Sequence, residues 1–268
     1  MDNTVIAALL SMAGMTVLFA AVLAFADKKL RVEEDPKLVE VTHLLPGVNC
    51  GACGCLSCHD FAEHLISGES DPVKCRVLAE ETRKKIYEAL GKEEQEASAV
   101  IALVHCVAEN KDKKRDAEYT GVKTCAAADL VFGGGLKCQY GCMGYGDCVA
   151  VCPFDAIHMF DGLPRVDIKK CTGCGKCAEA CPRDIIKMQE KKYEKLIYVA
   201  CSSHDTLLST KQACNVGCIA CGVCVKLSPK GFFSVEDNLS VADYSKQDDQ
   251  EGVRAIAPKC PTKVIKET

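Results

Sequence analysis

The sequence has no tryptophan, few other aromatic residues and little net charge. Eight phenylalanines and seven tyrosines among 268 residues cannot carry the stability of the core by aromatic packing. With 33 basic and 37 acidic residues, the formal charge is −4. This balance excludes a nucleic-acid binder that acts through bulk positive charge, and it excludes a disordered acidic tail. We therefore expect a folded protein that does not bind nucleic acid.

The motifs of nucleotide binding and nucleophilic catalysis are also missing. No G-x-G-x-x-G follows a strand, no G-x-x-x-x-G-K-[ST] is present, and Gly133-Gly134-Gly135 precedes no phosphate-binding helix. No Ser-His-Asp or Cys-His arrangement can be argued, and the six histidines, without ligand-like spacing, are expected to be solvated. Any nicotinamide or flavin chemistry is expected on another subunit.

A long apolar run lies near the N-terminus. Val5 to Ala26 contains no charge, and a helix of that length, at about 1.5 Å per residue, spans a bilayer core of roughly 30 Å. Because Lys28, Lys29 and Arg31 follow at once, the positive-inside rule predicts a single-pass helix in the cytoplasmic membrane, with the body in the cytoplasm. The alternative is a cleaved signal peptide, since Ala24-Phe25-Ala26 resembles a cleavage site, but a basic n-region is missing.

Cysteine is what the chain has in abundance. A cytoplasmic body keeps its 21 cysteines reduced, which favours metal binding over disulfides. The run Cys171-x2-Cys174-x2-Cys177-x3-Cys181-Pro is that of bacterial ferredoxins. Three closely spaced thiolates bind three corners of a 4Fe–4S cubane, and the cysteine before proline binds the neighbouring cluster. Two adjacent clusters are therefore predicted.

An incomplete copy of this run lies upstream. Cys142 and Cys148 are separated by five residues, and Tyr145 stands where the middle cysteine would be. Cys138, four residues before Cys142, is predicted to supply the missing ligand. The two predicted ligand sets are Cys138, Cys142, Cys148 and Cys181 for one cluster, and Cys152, Cys171, Cys174 and Cys177 for the other.

The pattern then partly repeats. The apolar strand predicted over Ala99–Val107 and the one predicted over Leu196–Ala200 both lead to a cysteine, Cys106 and Cys201. Cys214-x3-Cys218 likewise echoes the spacing of the first copy. Residues 99–181 and 196–268 are therefore interpreted as two related modules, the second one eroded.

The second module is predicted to hold one cluster. Cys218, Cys221 and Cys224 form a complete triplet, and Cys260-Pro261 offers the fourth ligand. Ser228-Pro229 replaces the other Cys-Pro closure, so the partner cluster is not expected. The rival for the fourth ligand is Cys214, which is otherwise predicted to be a spectator.

Structural zinc is the alternative for Cys-x2-Cys pairs, but the Cys-Pro closures favour iron–sulfur clusters. Cys106, Cys125 and Cys201 have no partner spacing and are expected to be small buried apolar thiols. Cys55 is expected to be a spectator. Elsewhere, Asp71-Pro72 is predicted to start a helix that runs to Gly91, and Asp161-Gly162 predicts a hairpin.

Taken together, these motifs resemble a known family. An apolar N-terminal helix is followed by Pro46-Gly47-x2-Cys50-Gly51-x-Cys53-Gly54, then by Cys58, Phe61, Ala62 and Cys75. Further on come Cys142-Met143-Gly144-Tyr145-Gly146-Asp147-Cys148 and Cys152-Pro153-Phe154-Asp155-Ala156-Ile157. This order of parts, over nearly the whole chain, is similar to that of the B subunit of the Rnf electron-transport complex. The resemblance implies that Cys50, Cys53, Cys58 and Cys75 hold a membrane-proximal 4Fe–4S cluster.

The family implies a subunit of an ion-translocating ferredoxin:NAD oxidoreductase. Such a subunit would take electrons from reduced ferredoxin and relay them to other Rnf subunits, which couple the reaction to sodium or proton translocation. The alternatives are a membrane-tethered polyferredoxin that serves another acceptor and a non-redox metal-binding module. By this resemblance the chain carries about four 4Fe–4S clusters and no catalytic residue of its own.

The expected fold is α+β. Its predicted parts are a transmembrane anchor (residues 1–30), a small helical 4Fe–4S domain (31–97), a two-cluster ferredoxin-like module (98–195, the first module) and a degenerate ferredoxin-like module with one cluster (196–268, the second module). Lys92 to Ser98 is a predicted linker.

Overall fold

The computed structural model describes residues 3–30, 35–95, 98–246 and 250–268. Helices and short strands occur in both halves of this region, so the predicted mixture of α and β structure is confirmed. The α-helices are α1 (Asn3–Leu30), α2 (Pro36–Leu44), α3 (Cys58–Ser67), α4 (Glu80–Leu90), α5 (Cys125–Leu130), α6 (Asp147–Ala150), α7 (Lys176–Glu179), α8 (Leu207–Ala213), α9 (Val223–Leu227) and α10 (Gln250–Arg254). The strands are β1 (Val100–Val104), β2 (Ile157–Phe160), β3 (Leu163–Val166), β4 (Ile186–Glu190), β5 (Ile197–Val199), β6 (Phe233–Glu236), β7 (Leu239–Ala242) and β8 (Ile265–Glu267).

Helix α1 contains the apolar run. Its segment Val5–Lys29 is long and apolar enough to cross a membrane, and none of it is buried against the rest of the protein. Exposed apolar side chains on all sides are what a lipid-facing helix requires. Lys28 and Lys29 lie in its last turn, whereas Arg31, the third predicted flanking cation, lies outside the described residues.

Helices α2, α3 and α4 form a small apolar core around Phe61, Leu65 and Ile86, all almost fully buried. Helix α3 begins at Ser57, whose Oγ accepts a hydrogen bond from the Asp60 amide and so satisfies a free N–H of the first turn. This cap sets the direction in which Cys58, the first residue of α3, enters the domain.

The helix predicted from Asp71 to Gly91 is wrong in its first half. Asp71 does cap a turn, but this turn is a 3₁₀ helix that ends at Lys74. Cys75 then adopts an extended conformation and is buried, so the chain leaves the helical path to turn this side chain inward. The α-helix starts only at Glu80 and ends, as predicted, at Gly91 in the left-handed conformation that glycine tolerates. The predicted linker Lys92–Ser98 includes residues 96–97, which lie outside the described residues.

The first module contains two antiparallel strand pairs. Strand β1 pairs with β4, with Val104 opposite Ile186, and β2 pairs with β3. The predicted strand after the linker is thus confirmed, although it ends at Val104. The predicted hairpin is also confirmed: Asp161 and Gly162 both have positive φ angles, the conformation of the two-residue turn that matches strand twist.

The second module repeats these pairings. Strand β5 pairs with β8, and β6 pairs with β7 across Asp237-Asn238, again a two-residue turn with positive φ angles. In both modules the first strand pairs with the last, and a hairpin lies between them. Where the first module has its second cysteine triplet, the second has a 3₁₀ turn (Tyr244–Lys246) and the short helix α10. The division into the four predicted domains itself stays a prediction.

Candidate metal centres

All 21 cysteines are free thiols. In the part of the chain that the structure describes, no three cysteine sulfurs lie within 4.8 Å of one another. A tetrahedral zinc site with Zn–S bonds of about 2.3 Å needs sulfurs roughly 3.8 Å apart. The thiol groups described below are therefore too widely spaced for zinc, whereas a cubane, with one thiolate on each corner iron, needs the wider spacing.

The N-terminal cysteine group surrounds the end of the domain formed by α2–α4. Cys58 lies at the start of α3, and its amide donates a hydrogen bond to Asn49 Oδ1 at 2.7 Å. Cys75 is buried; burial raises the pKa of its thiol, and the nearby thiols of Cys53 and Cys50 raise it further. The structure thus brings Cys50, Cys53 and Cys75 together, with Cys58 in the same core.

Cys55 has different neighbours. Its sulfur lies within 4.8 Å of ligand atoms of Asp60 and His64 on α3. Burial raises the pKa of Cys55 to about 11, with Cys53 and Asp60 adding to the shift. His64 itself forms an ion pair with Glu69, with 2.6 Å between Nδ1 and Oε2. That Cys55 is a spectator of the N-terminal group stays a prediction.

The ferredoxin run in the first module forms a second group. Burial raises the pKa of Cys177 to about 11, and the thiols of Cys171, Cys174 and Cys152 raise it further. The pKa of Cys174 is raised chiefly by burial, with contributions from Cys50 and Cys152. Cys152 thus lies with the triplet as predicted by spacing, and the group borders the N-terminal group at Cys50.

A third group lines a cavity of about 360 Å³, which we call the α5 cavity. Its cysteines are Cys125, Cys142, Cys148 and Cys181. Burial raises the pKa of Cys148 to about 12, with the thiols of Cys142, Cys125 and Cys181 among the further causes.

The α5 cavity corrects one sequence assignment. The spacing assigns Cys138 to this group and treats Cys125 as a buried apolar thiol, but the structure places Cys125 here and Cys138 elsewhere. The reason is local: Asp147 Oδ1 accepts a hydrogen bond from the Cys125 amide at 2.8 Å, which fixes the start of α5 against the start of α6. Cys125 follows Thr124, a helix N-cap residue, and this cap is the one sequence signal that could have drawn attention to it.

A fourth group lines a cavity of about 350 Å³ in the second module, the α9 cavity, with Cys218, Cys221, Cys224 and Cys260. Cys224 Sγ lies 3.1 Å from Ser240 Oγ. Burial alone would raise the pKa of Cys260, but hydrogen bonds from the Val264 amide, from the hydroxyl and amide of Thr262 and from the Ile265 amide outweigh it, so the pKa is lowered. Cys260 rather than Cys214 lies in this cavity.

The remaining cysteines line a fifth site, which we call the interface cavity because both modules contribute to it. Its volume is about 480 Å³, and its cysteines are Cys106, Cys138, Cys201 and Cys214. Burial is the main reason that the pKa rises to about 11 at Cys138 and about 12 at Cys201, and Cys106 contributes to both shifts. The prediction that Cys106, Cys201 and Cys214 stand alone is therefore wrong in its geometry, because these residues lie together.

One histidine also departs from expectation. His105 is packed between the modules rather than solvated: its Nδ1 lies 2.8 Å from the Val199 carbonyl, and its ring meets Tyr198 edge to face. Burial lowers its pKa, so the ring is neutral at neutral pH and donates through Nδ1.

These thiols share an electrostatic property. Burial raises the pKa of most of them well above neutral pH, so that without metal they are protonated. Only the thiolate binds metal, so metal binding must release protons and stabilises the surrounding fold as it does so.

Three family models match parts of the chain, and each matched range contains one or more of the cysteine groups. "Putative Fe-S cluster" matches residues 45–77, "LdpA Fe-S cluster-binding domain" residues 148–192, and "4Fe-4S single cluster domain of Ferredoxin I" residues 215–267.

Curated relatives match nearly the whole chain, and each is the B subunit of a membrane complex. The chain is 35% identical over 266 residues to the B subunit of the ion-translocating oxidoreductase complex of Methanosarcina acetivorans, covering 99% of both chains. It is 38% identical over 231 residues to that of the Na(+)-translocating ferredoxin:NAD(+) oxidoreductase complex of Acetobacterium woodii, covering 86% of this chain and 69% of the relative. Its counterpart in the proton-translocating ferredoxin:NAD(+) oxidoreductase complex of Clostridium ljungdahlii is 35% identical over 98% of this chain and 93% of its own.

Proposed function

We propose, from the premise that this chain belongs to the B-subunit family of ion-translocating ferredoxin:NAD oxidoreductase (Rnf) complexes, that it relays electrons from reduced ferredoxin to other subunits through a series of 4Fe–4S clusters. It is thus a membrane-anchored iron–sulfur subunit of a translocase. The observation that carries the proposal is the series of cysteine groups, which border one another from Cys50 to the α9 cavity.

Four ligand sets follow from the sequence and the cavities. They agree with the sequence-based sets except that Cys125 replaces Cys138. The proposed sets are Cys50, Cys53, Cys58 and Cys75; Cys152, Cys171, Cys174 and Cys177; Cys125, Cys142, Cys148 and Cys181; and Cys218, Cys221, Cys224 and Cys260.

Contacts between the groups support a relay. The thiol of Cys174 senses Cys50 in the N-terminal group, and that of Cys148 senses Cys177 in the ferredoxin run. Neighbouring groups are therefore close enough to affect each other electrostatically. When bound, 4Fe–4S clusters supply one-electron carriers whose potentials depend on burial and on hydrogen bonds to sulfur.

The chain's own residues prepare these sites. They bury the sulfurs and aim hydrogen-bond donors at them: Ser240 at Cys224, and the Cys218 amide at Cys201 Sγ, 3.3 Å away. Buried thiolates in apolar surroundings exclude water, and donors to sulfur favour the more negative, reduced state.

The function is tested in the purified complex under anaerobic conditions. Reduced ferredoxin should bleach the sulfur-to-iron absorbance of this subunit, and NAD should then be reduced. NAD reduction with the clusters of this subunit remaining oxidised would show that electrons take another path.

The side of the membrane gives a further prediction. Helix α1 anchors the protein, and Lys28 and Lys29 at its C-terminal end favour a cytoplasmic body. A C-terminal reporter that is active only outside the cytoplasm should therefore stay silent. The pair Lys28→Glu and Lys29→Glu should raise its activity, because it removes the retaining charge. An active reporter on the unaltered chain, or a mature protein that begins at Asp27, would contradict this topology.

Two basic runs of the sequence, Lys111–Arg115 and Lys191–Lys195, offer charge that complements an acidic ferredoxin. The structure gives the first run internal partners: the Nζ of Lys113 donates to the Gly162 carbonyl at 2.6 Å, and that of Lys114 to the Lys211 carbonyl at 2.7 Å. In the second run Lys195 forms an ion pair with Glu267. We therefore propose Lys191 and Lys192, just after β4, as the docking cations.

Charge reversal tests this docking site. Lys191→Glu with Lys192→Glu should slow ferredoxin oxidation by about tenfold at low salt, because electrostatic steering is lost. The difference from wild type should shrink as salt shortens the Debye length below about 10 Å. Lys85→Glu, an equal charge change at an exposed position of α4, should leave the rate unchanged. Equal rates for both variants at low salt would remove the proposal.

A further inference from the structure

We infer that Cys106, Cys138, Cys201 and Cys214 bind a fifth 4Fe–4S cluster, in the interface cavity between the two modules. None of these four residues lies within a range matched by a family model. The inference rests on the proposed function in one respect: Cys138 is available for this site only because Cys125 takes its place in the α5 cavity.

Two of the cysteines come from equivalent strand ends. Cys106 lies two residues after β1, and Cys201 two residues after β5. The strand ends are tied together by His105, which donates to the Val199 carbonyl at 2.8 Å, and by Ser202, whose hydroxyl donates to the His105 carbonyl at 3.0 Å. These two hydrogen bonds hold one pair of sulfurs on one side of the cavity.

The other two cysteines come from equivalent loops, each four residues before a cysteine of a neighbouring cavity. The basic segment after β1 joins these loops: the Lys114 amide donates to the Ala213 carbonyl at 3.1 Å, and the Lys137 amide to the Lys114 carbonyl at 2.9 Å. Lys113 forms an antiparallel bridge with Cys214 itself. The role of the basic run is thus to bring Cys138 and Cys214 to the same cavity.

The loops come close because glycine precedes the last cysteine in each. A Cβ atom at Gly141 would lie 3.3 Å from Cys138 Sγ, and one at Gly217 would lie 2.4 Å from Thr210 Cγ2. A larger residue at either position would push the loop away from the cavity or fill it. The repeated Cys-x-x-Gly-Cys spacing is therefore accounted for by this site, not by the clusters on either side.

The chemistry of the lining selects the ligand. Apart from the four thiols, the cavity is lined mostly by apolar side chains and by backbone, including Val107, Leu136 and Val216, and the amine of Lys113 is engaged by the Gly162 carbonyl. As in the other groups, the sulfurs are too far apart for a zinc ion. A cavity of about 480 Å³, larger than the α5 and α9 cavities, has room for a cubane on four thiolates.

The site also closes a gap in the series. Cys106 raises the pKa of Cys142 in the α5 cavity, after the larger effects of burial and Lys113, and Cys201 accepts a hydrogen bond from the Cys218 amide of the α9 cavity. A cluster here takes one electron from one neighbour and passes one to the other, with no bond or proton transferred. Without it, the α9 group has no described neighbour on the side of the first module.

The test is an iron and acid-labile sulfide count on the full-length chain, reconstituted anaerobically. We expect about twenty iron atoms per chain rather than about sixteen, and no stoichiometric zinc. Cys138→Ala and Cys214→Ala should each lose about one fifth of the iron. Val216→Ala, which shortens an apolar side chain of the same cavity, should lose none.

A count of about sixteen in the wild type, or one zinc per chain, overturns the inference even if the variants fail to fold. A count unchanged in both cysteine variants does the same. The count needs no electron donor, so failure of the ferredoxin relay leaves it unaffected, and the two proposals can fail separately.

Discussion

Replacing Cys125 by alanine should cost the protein the iron of about one cluster, that is, about four iron atoms per chain. Cys125 lines the α5 cavity with Cys142, Cys148 and Cys181, and Tyr145 supplies no thiolate where a middle cysteine is normal. A cluster left with three thiolates and an apolar methyl group in the fourth position is weakly held. Because this group lies between the ferredoxin run and the second module, bleaching of the distal clusters by reduced ferredoxin should fall with it.

The matched control is Cys55→Ala, which also removes one partly buried thiol. Its sulfur contacts Asp60 and His64 rather than a complete set of four thiols, so the iron content should stay at the wild-type value. Iron, acid-labile sulfide and visible absorbance are measured on both proteins under anaerobic conditions. An unchanged count in Cys125→Ala would restore Cys138 as the fourth ligand of that cluster.

Cys260→Ala should remove a second cluster's worth of iron, from the α9 cavity. This thiol is unusual because hydrogen bonds from Val264, Thr262 and Ile265 more than offset the effect of burial and lower its pKa. Donors that stabilise a thiolate also stabilise the same sulfur as an iron ligand. Loss of Cys260 therefore removes the most readily ionised of the four thiols, and the absorbance of the second module should fall accordingly.

Thr262→Val separates ligation from tuning at this site. The Thr262 Oγ1 lies 3.7 Å from the Cys260 sulfur, and valine keeps the shape of threonine but removes the donor. The iron content should stay constant, while the potential of one cluster should fall because a donor to sulfur is lost. The readout is an anaerobic redox titration. Iron loss in Thr262→Val, or full iron content in Cys260→Ala, would show that Cys260 is not a ligand.

The parts of the molecule that follow from local spacing could be predicted from the sequence. The apolar helix, the Asp161-Gly162 hairpin and the repeated apolar strands each depend on a few adjacent residues. The triplet Cys171, Cys174 and Cys177 and its companion Cys152 are predicted in the same way, because their spacing reflects the shape of the cluster that they are expected to wrap.

The errors concern cysteines whose partners are distant in sequence. Cys125 has no nearby cysteine, and it reaches the α5 cavity only through hydrogen bonds to Asp147. Cys106 and Cys201 are brought together by the contact of His105 with Val199. The break of the helix at Cys75 has a related cause, since burial of that thiol competes with helical propensity. Spacing records neighbours along the chain, whereas these sites are set by packing between segments.

The interface cavity has a consequence for biogenesis. The N-terminal group lies within residues 50–75 and needs only one small domain, so it is able to receive iron while the rest of the chain is still being synthesised. The interface cavity takes two thiols from each module, so it exists only after both modules have folded and docked. We therefore expect it to be the last site filled during maturation, and an empty interface site to mark chains whose halves have not yet joined.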